Sequence, residues 1–537
     1  MRVPTQPTLL PTSPQLSTDV SSGGGACVAA TNYLNTQFTV EVALRHGSNS
    51  SSYRAKLVPD SGSFELVLPG SSCEACACSH GASKSLYMTP SNASDAPRVS
   101  LQYGQGGVRD AYALHDWVRL GTVSAHHQSF LLMQEQTISG YCESSYDGVL
   151  GLGRRANARE DSEDLSFLQN ANVRNFSICF GRNNGDAGRL QLGAPLPSLH
   201  YDYVPVLGSK HWAVQLFGVG FFGTGMGGYG GGAYTTCTSG RLFDQHCAAI
   251  IDSGTSLISG PESGLAELLK PLDNVPVHEN CSNLDSLPTL RFKVGRGDEV
   301  LELEMTPDMY VTRTTADELA FSAAIDSHLR HEGGGSHNLS AALRQGGGKA
   351  RPTQATAAAP LKCVLMFMKV DMTDHSYGPV WILGMPFLRA FAVHFDRGNA
   401  TTATAEARRR DKRATRLAVS SSDAPADANR AAVPATAGAN GSATRHSPPR
   451  ATAAAGRAEQ LALFWRPSDD DDGGMSIGFA RVPDDANPCN GCAADADSSK
   501  LGAYTTTLDE VEPPVVSLRH ARLPAWAAAS GLNRSVL

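Results

Sequence analysis

The sequence predicts an all-β protein built from two related halves. Two observations carry that prediction. Short runs such as QFTVEVAL, YRAKLVP, FELVLPG, RVSLQYG and HQSFLLM are strand-like and are broken by Gly, Ser and Asn turns. In addition, the tetrapeptide Asp60-Ser61-Gly62-Ser63 returns as Asp252-Ser253-Gly254-Thr255, each copy following an apolar run. The echo continues downstream, with Val149-Leu150-Gly151 after the first copy and Ile382-Leu383-Gly384 after the second. One such tetrapeptide is an ordinary turn. Two in matching contexts mark an internal duplication.

Composition fits a large folded chain. The 537 residues are 41% hydrophobic and 18% charged, which is enough apolar material for a sizeable core. The formal net charge of −7 gives no basic excess that would point to nucleic acid or to an anionic membrane. No stretch approaches the roughly 20 apolar residues of a membrane-spanning helix.

Taken in order, residues 1–31 read as a flexible leader rich in Pro, Ser, Thr and Gly. Residues 32–205 form the first half. Its one convincing helix is SEDLSFLQNANV, with Ser162 as its cap. Residues 206–484 form the second half. There Gly218–Gly223, GVGFFG, matches a dinucleotide fingerprint in spelling only. It runs into TGMGGYGGGAY, which makes no stable helix, so it reads as a Gly-rich β-hairpin. Low-complexity insertions at 313–360 and 398–473 interrupt this half. The second contains Arg408–Arg413, RRRDKR, read as a solvated loop with a nuclear signal or a processing site as rivals. It also holds the acidic run Asp469–Asp472. Residues 485–537 are a tail carrying Cys489 and Cys492.

The twelve cysteines are even in number and partly in close pairs, which favours disulfides and an oxidising compartment. Zinc is the rival for Cys73, Cys76 and Cys78, but no matching Cys or His pair lies at finger spacing. No metal site is expected, and the sixteen histidines form no ligand pattern. Sequons at Asn49, Asn92, Asn175, Asn280, Asn338, Asn399, Asn440 and Asn533 add a nudge toward a glycosylated, secreted or endomembrane/vacuolar protein. The opening residues lack the apolar stretch of a signal peptide, so the start reads as incomplete or processed.

The duplicated turns suggest a chemistry. Each D-S-G turn can place its carboxylate at a loop tip, with glycine allowing close approach. Facing loops would bring Asp60 and Asp252 together. Two like charges a few ångströms apart do not both ionise readily, so the pair holds one proton. One carboxylate can then draw a proton from water while the other donates to a carbonyl oxygen. Ser61 and Ser253 could brace the opposing loops, and Ser63 and Thr255 could hydrogen-bond the carboxylates. G-x-S-x-G is absent, so a serine elbow has no support.

At this point the chain resembles the pepsin-like aspartic endopeptidases (family A1), over roughly residues 33–397 and 474–482 apart from the 313–360 insertion. DSGSFELVLPGSSC resembles the first active-site strand, and VSLQYGQGG the flap hairpin. YDGVLGLG and WILGMPFLRAFAVHFDR resemble the segments packed under each loop, and MSIGFARV the last strand. The resemblance implies a bilobal all-β fold with a cleft between lobes, Asp60 and Asp252 as catalytic residues, and no cofactor. It also implies a substrate-binding group of Tyr103 on the flap with Gly62, Gly254, Ser63, Thr255 and Ser256. Val149 and Ile250 are expected near the scissile bond. Polypeptides are the expected substrates, and a monomer the expected state. The implied disulfides are Cys73–Cys78, Cys237–Cys247 and Cys281–Cys363, with Cys142–Cys179 and Cys27–Cys76 as further guesses. Pro59, Val67 and Glu65 depart from the family's usual residues. They bear on substrate preference and efficiency, and Pro59 and Val67 keep a catalytically weak peptide-binding or inhibitor protein as the alternative. A membrane-system processing protease with narrow site preference is a third reading.

Overall fold

The computed structural model describes residues 25–45, 52–79, 81–103, 106–138, 140–154, 165–183, 185–223, 234, 247–297, 299–315, 361–370, 372–374, 377–398, 474–483 and 487–492. The fold is all-β and bilobal. The duplication seen in the sequence is a duplication of strand arrangement. In the first half, Ser52–Asp60 runs parallel to Gly148–Gly151, with Asp60 opposite Gly151. Leu66–Pro69 lies antiparallel on the far side of Gly148–Gly151. In the second half, Cys247–Ile251 runs parallel to Gly378–Leu383, with Ile251 opposite Leu383, and Ile258–Gly260 flanks the far side antiparallel. Strands covered on both faces need apolar residues throughout. That accounts for GVLG and AAII, which are buried at every position.

Val149 is 4% exposed and Ile250 fully buried, each within an apolar cluster. Val149 packs with Val58 and Val67, and Ile250 with Ala213, Val380 and Ile382.

The two halves are not confined to separate sheets. A 14-stranded sheet takes in most of the first half, and near one end Phe391–Asp396 and Ser476–Arg481 from the second half lie between Asn175–Cys179 and the edge strand Asp202–Pro205. Asn175–Cys179 pairs on one edge with Gly188–Leu192 and on the other with Phe391–Asp396. An 8-stranded sheet holds the rest of the second half's main strands. The segment Gly218–Phe222 of GVGFFG lies in the strand Ala213–Phe222, as the β reading expects.

The insertions lie almost wholly outside the described residues, but their anchor points are clear. Val311–Thr315 pairs antiparallel with Leu361–Leu365, Thr315 facing Leu361. Asp396 faces Ser476 in the other pair. Each insertion therefore joins two antiparallel neighbours, where extra length leaves the ladder intact at small entropic expense. Arg408–Arg413 and Asp469–Asp472 lie outside the described residues.

Several local expectations change. Ala26–Tyr33, placed largely in the leader, is a strand paired with Gly188–Leu192 and Gln37–Arg45. Among the described residues the α-helix of the first half is Phe167–Asn170, and its cap is Ser166, whose hydroxyl accepts the Gln169 N–H while the Gln169 side chain accepts the Ser166 N–H. The expected cap, Ser162, lies outside the described residues. The disulfides also differ. Cys73 bonds Cys76 rather than Cys78, which bonds Cys142. Cys179 takes Cys489 instead of Cys142, and Cys27 takes Cys492 instead of Cys76. At Cys73 the nearer cysteine is the partner, whereas Cys78, Cys179 and Cys27 bond cysteines 64, 310 and 465 residues away that folding brings alongside. Cys281 is bonded to Cys363. Cys247 is in a disulfide, and its expected partner Cys237 lies outside the described residues.

Candidate active site

Both aspartates end up buried, Asp60 1% exposed and Asp252 fully enclosed. Each is held in the same way by its own turn. The Gly62 N–H donates to Asp60 Oδ1 at 2.9 Å and the Ser63 hydroxyl to Oδ2 at 2.8 Å. The Gly254 N–H donates to Asp252 Oδ1 at 2.8 Å and the Thr255 hydroxyl to Oδ2 at 2.7 Å. Buried carboxylates need such donors, since leaving one unsatisfied costs several kcal/mol.

The two turns then grip each other. The Ser61 N–H donates to Ser253 Oγ, and the Ser253 N–H to Ser61 Oγ, both at 3.0 Å. The Ser61 hydroxyl donates to the Ile251 carbonyl at 2.8 Å and the Ser253 hydroxyl to the Pro59 carbonyl at 2.6 Å. Pro59 contributes to the grip through its carbonyl, which proline retains. Glycine is required at both tips. A Cβ on Gly62 would lie 2.6 Å from the Asp252 carboxyl carbon, and one on Gly254 2.3 Å from Asp60 Oδ1. Each carboxylate thus sits against the opposite loop's glycine.

The strands under the loops fix their height. The Leu152 N–H donates to the Asp60 carbonyl at 2.8 Å, and the Asp252 N–H to the Leu383 carbonyl at 3.2 Å. Ser256 is buried with its hydroxyl on the Thr36 carbonyl at 2.8 Å, a strut to the first half. Tyr103 ends the strand Arg98–Tyr103 opposite Gly106, at the tip of a hairpin. Its side chain lies outside the described residues. Val67 is buried beside Tyr141 and Tyr146.

Electrostatics follows from this enclosure. Burial, then the Asp60 charge, pushes the Asp252 carboxyl up to about 8, against the downward pull of Thr255 and Gly254. The proton belongs to the pair and not to one residue. A carboxyl whose proton is held more tightly when folded stabilises the fold at low pH, and that contribution fades as pH rises toward about 8. The buried His394, pushed down to about 4 by burial, works in the opposite sense below about pH 6.5. The comparison with Asp252→Asn removes that background. The variant is expected to gain stability relative to the parent as pH rises from about 4 to about 8, by on the order of a few kcal/mol, in paired thermal melts. Parallel melting curves across that range would refute the shared-proton account.

Sequence reading missed the residues behind the Asp60 loop. The Trp212 indole N–H donates to the Leu152 carbonyl at 3.1 Å. The Arg154 guanidinium donates to the carbonyls of Gly208 and His211. No motif marks these positions. The only signal is a polar cluster, SKHW, directly before an apolar strand.

Fold and site together define a class: a two-lobed β protein in which duplicated loops hold two buried carboxyls in mutual contact. Sequence comparison agrees. The family model described as eukaryotic aspartyl protease matches residues 42–327. The chain belongs to the eukaryotic aspartyl protease family. It is 25% identical over 401 residues to plasmepsin VIII of Plasmodium berghei (strain Anka), covering 72% of this chain and 89% of that protein. It is 26% identical over 381 residues to cathepsin E-A of Xenopus laevis, covering 68% and 79%. It is 25% identical over 406 residues to renin of Canis lupus familiaris, covering 72% and 83%.

Proposed function

We propose that the protein is an aspartic endopeptidase that hydrolyses peptide bonds in extended polypeptides by means of a water activated between Asp60 and Asp252, with an acid optimum. The observation that carries this reading is the reciprocal grip of the two loops, which holds both carboxyls hydrogen-bonded, buried and in contact. In the active state one carboxyl is ionised and the other protonated. The ionised group takes a proton from water as the water attacks the peptide carbonyl carbon. The protonated group donates to the carbonyl oxygen, giving a neutral tetrahedral diol. Transfer of a proton to the nitrogen then releases the amine as the C–N bond breaks, with no covalent enzyme intermediate. The proposed substrate cleft lies between the first lobe, 32–205, and the second, 206–484. In this reading Tyr103, at the end of the flap strand, closes over the substrate.

Disulfides suit an oxidising lumen or the cell exterior. Among the described residues no helix is long and apolar enough to cross a membrane. The test is incubation with a diverse peptide mixture at about pH 3 to 7, the range bracketing a shared-proton pair, with products read by mass spectrometry. Cleavage blocked by a statine-type inhibitor is the expected result. Silence from a folded sample with verified termini would overturn the reading.

A further inference from the structure

We propose that His211 is a positioning residue for the reaction: its imidazole N–H, donated to the backbone of Gly62, holds the turn that presents Asp60 to Asp252. The inference rests on the peptidase reading above and adds a residue outside the duplicated motifs. His211 is 3% exposed and sits immediately before the strand Ala213–Phe222. Its ring is hydrogen-bonded to the Gly62 backbone. Its own carbonyl is held by Arg154 at 3.2 Å, so the ring is mounted on a fixed base.

The same short segment reaches the Asp60 turn at a second point. Trp212 bonds the Leu152 carbonyl, and the Leu152 N–H bonds the Asp60 carbonyl. The segment therefore supports both ends of the turn, Asp60 through Leu152 and Gly62 directly. Gly62 has little freedom of its own. Its N–H is committed to Asp60 Oδ1, and its Cα faces the Asp252 carboxyl with no room for a methyl group. A tilt of the Gly62 peptide would shift the donor on Asp60 and the contact with Asp252 together. Positional errors of this kind are expensive in rate.

A neutral donor suits this place. The charged groups that act on the ring are Lys210 beside it and Arg154 on the segment after Gly151; Arg397, bonded to the Gly153 carbonyl, faces Arg154 in turn. Burial, followed by Lys210 and Arg154, pushes His211 down to about 3. The imidazole stays uncharged across most of the acid range and holds one hydrogen-bond pattern there.

The test compares the parent with His211→Phe, which keeps a ring without the donor, and His211→Gln, which restores an N–H donor. His211→Phe is expected to lower kcat by about tenfold, the worth of one hydrogen bond, with KM nearly unchanged and the acid limb of the pH–rate profile displaced. His211→Gln is expected to recover most of kcat and the parent profile. A His211→Phe enzyme with parental kcat and profile overturns the proposal. So does a loss in kcat, KM and melting temperature together that Gln does not rescue, because that pattern marks a merely structural residue. NMR of the 15N-labelled parent reads the contact without activity: one neutral tautomer with a protected N–H from pH 4 to 7 is expected, and titration near 6.5 overturns it. A parent with the protected ring that cleaves no peptide refutes the peptidase reading, and the catalytic role with it, which is distinct from failure of His211 alone.

Discussion

Asp252→Asn is expected to abolish peptide cleavage, by about a thousandfold or more in kcat, while leaving the fold intact. The size follows from the loss of a group that must both hold and release a proton in each turnover. The fold survives because asparagine satisfies the same neighbours. Its carbonyl oxygen can accept from the Gly254 N–H, and the Thr255 hydroxyl can turn to accept from the new amide. Asp60→Asn is expected to behave alike, through Gly62 and Ser63. Steady-state kinetics beside circular dichroism separates the outcomes. A folded variant retaining more than a few per cent of parental kcat would refute the paired-carboxyl mechanism.

The second large effect is on stability. Removing the Cys179–Cys489 bridge by paired alanine substitutions is expected to cost up to about 5 kcal/mol in the chain-entropy picture of long loops. The bridge spans 310 residues, and both sulfurs are fully buried. Alanine at both ends avoids leaving a buried thiol or hydroxyl without a partner. Denaturant melts of the oxidised parent and the variant give the comparison. A difference under about 1 kcal/mol would mean that strand pairing alone holds the tail, with the bridge adding little.

The sequence disclosed the dyad because its constraints are local and doubled. Asp, a hydroxyl residue and a glycine are each needed at the tip of each loop, so the requirement is written twice in consecutive letters. The strands beneath were legible for the same reason, since burial on both faces demands unbroken apolar runs such as VLG and WIL. What escaped was set by distant contact. Cys489 meets Cys179 because the last strand docks beside Phe391–Asp396, and nothing near either cysteine encodes that. The tie from Ser256 to the Thr36 carbonyl in the other half was likewise not legible. His211 and Arg154 act on backbone atoms, which carry no sequence label at all.

The membership of the large sheet also constrains how the molecule is made. Asn175–Cys179 needs Phe391–Asp396 along its outer edge, and that strand in turn needs Ser476–Arg481. A ribosome adds about 5–20 residues per second, so the early strands wait on the order of tens of seconds for the chain that completes them. Throughout that interval an open strand edge and the thiols of Cys27 and Cys179 face the surroundings without their final partners. Nascent chains of this protein should therefore depend on chaperones and oxidising helpers until the final strand has been released. Messages truncated upstream of the codon for Ser476 should yield aggregates rather than a smaller working molecule.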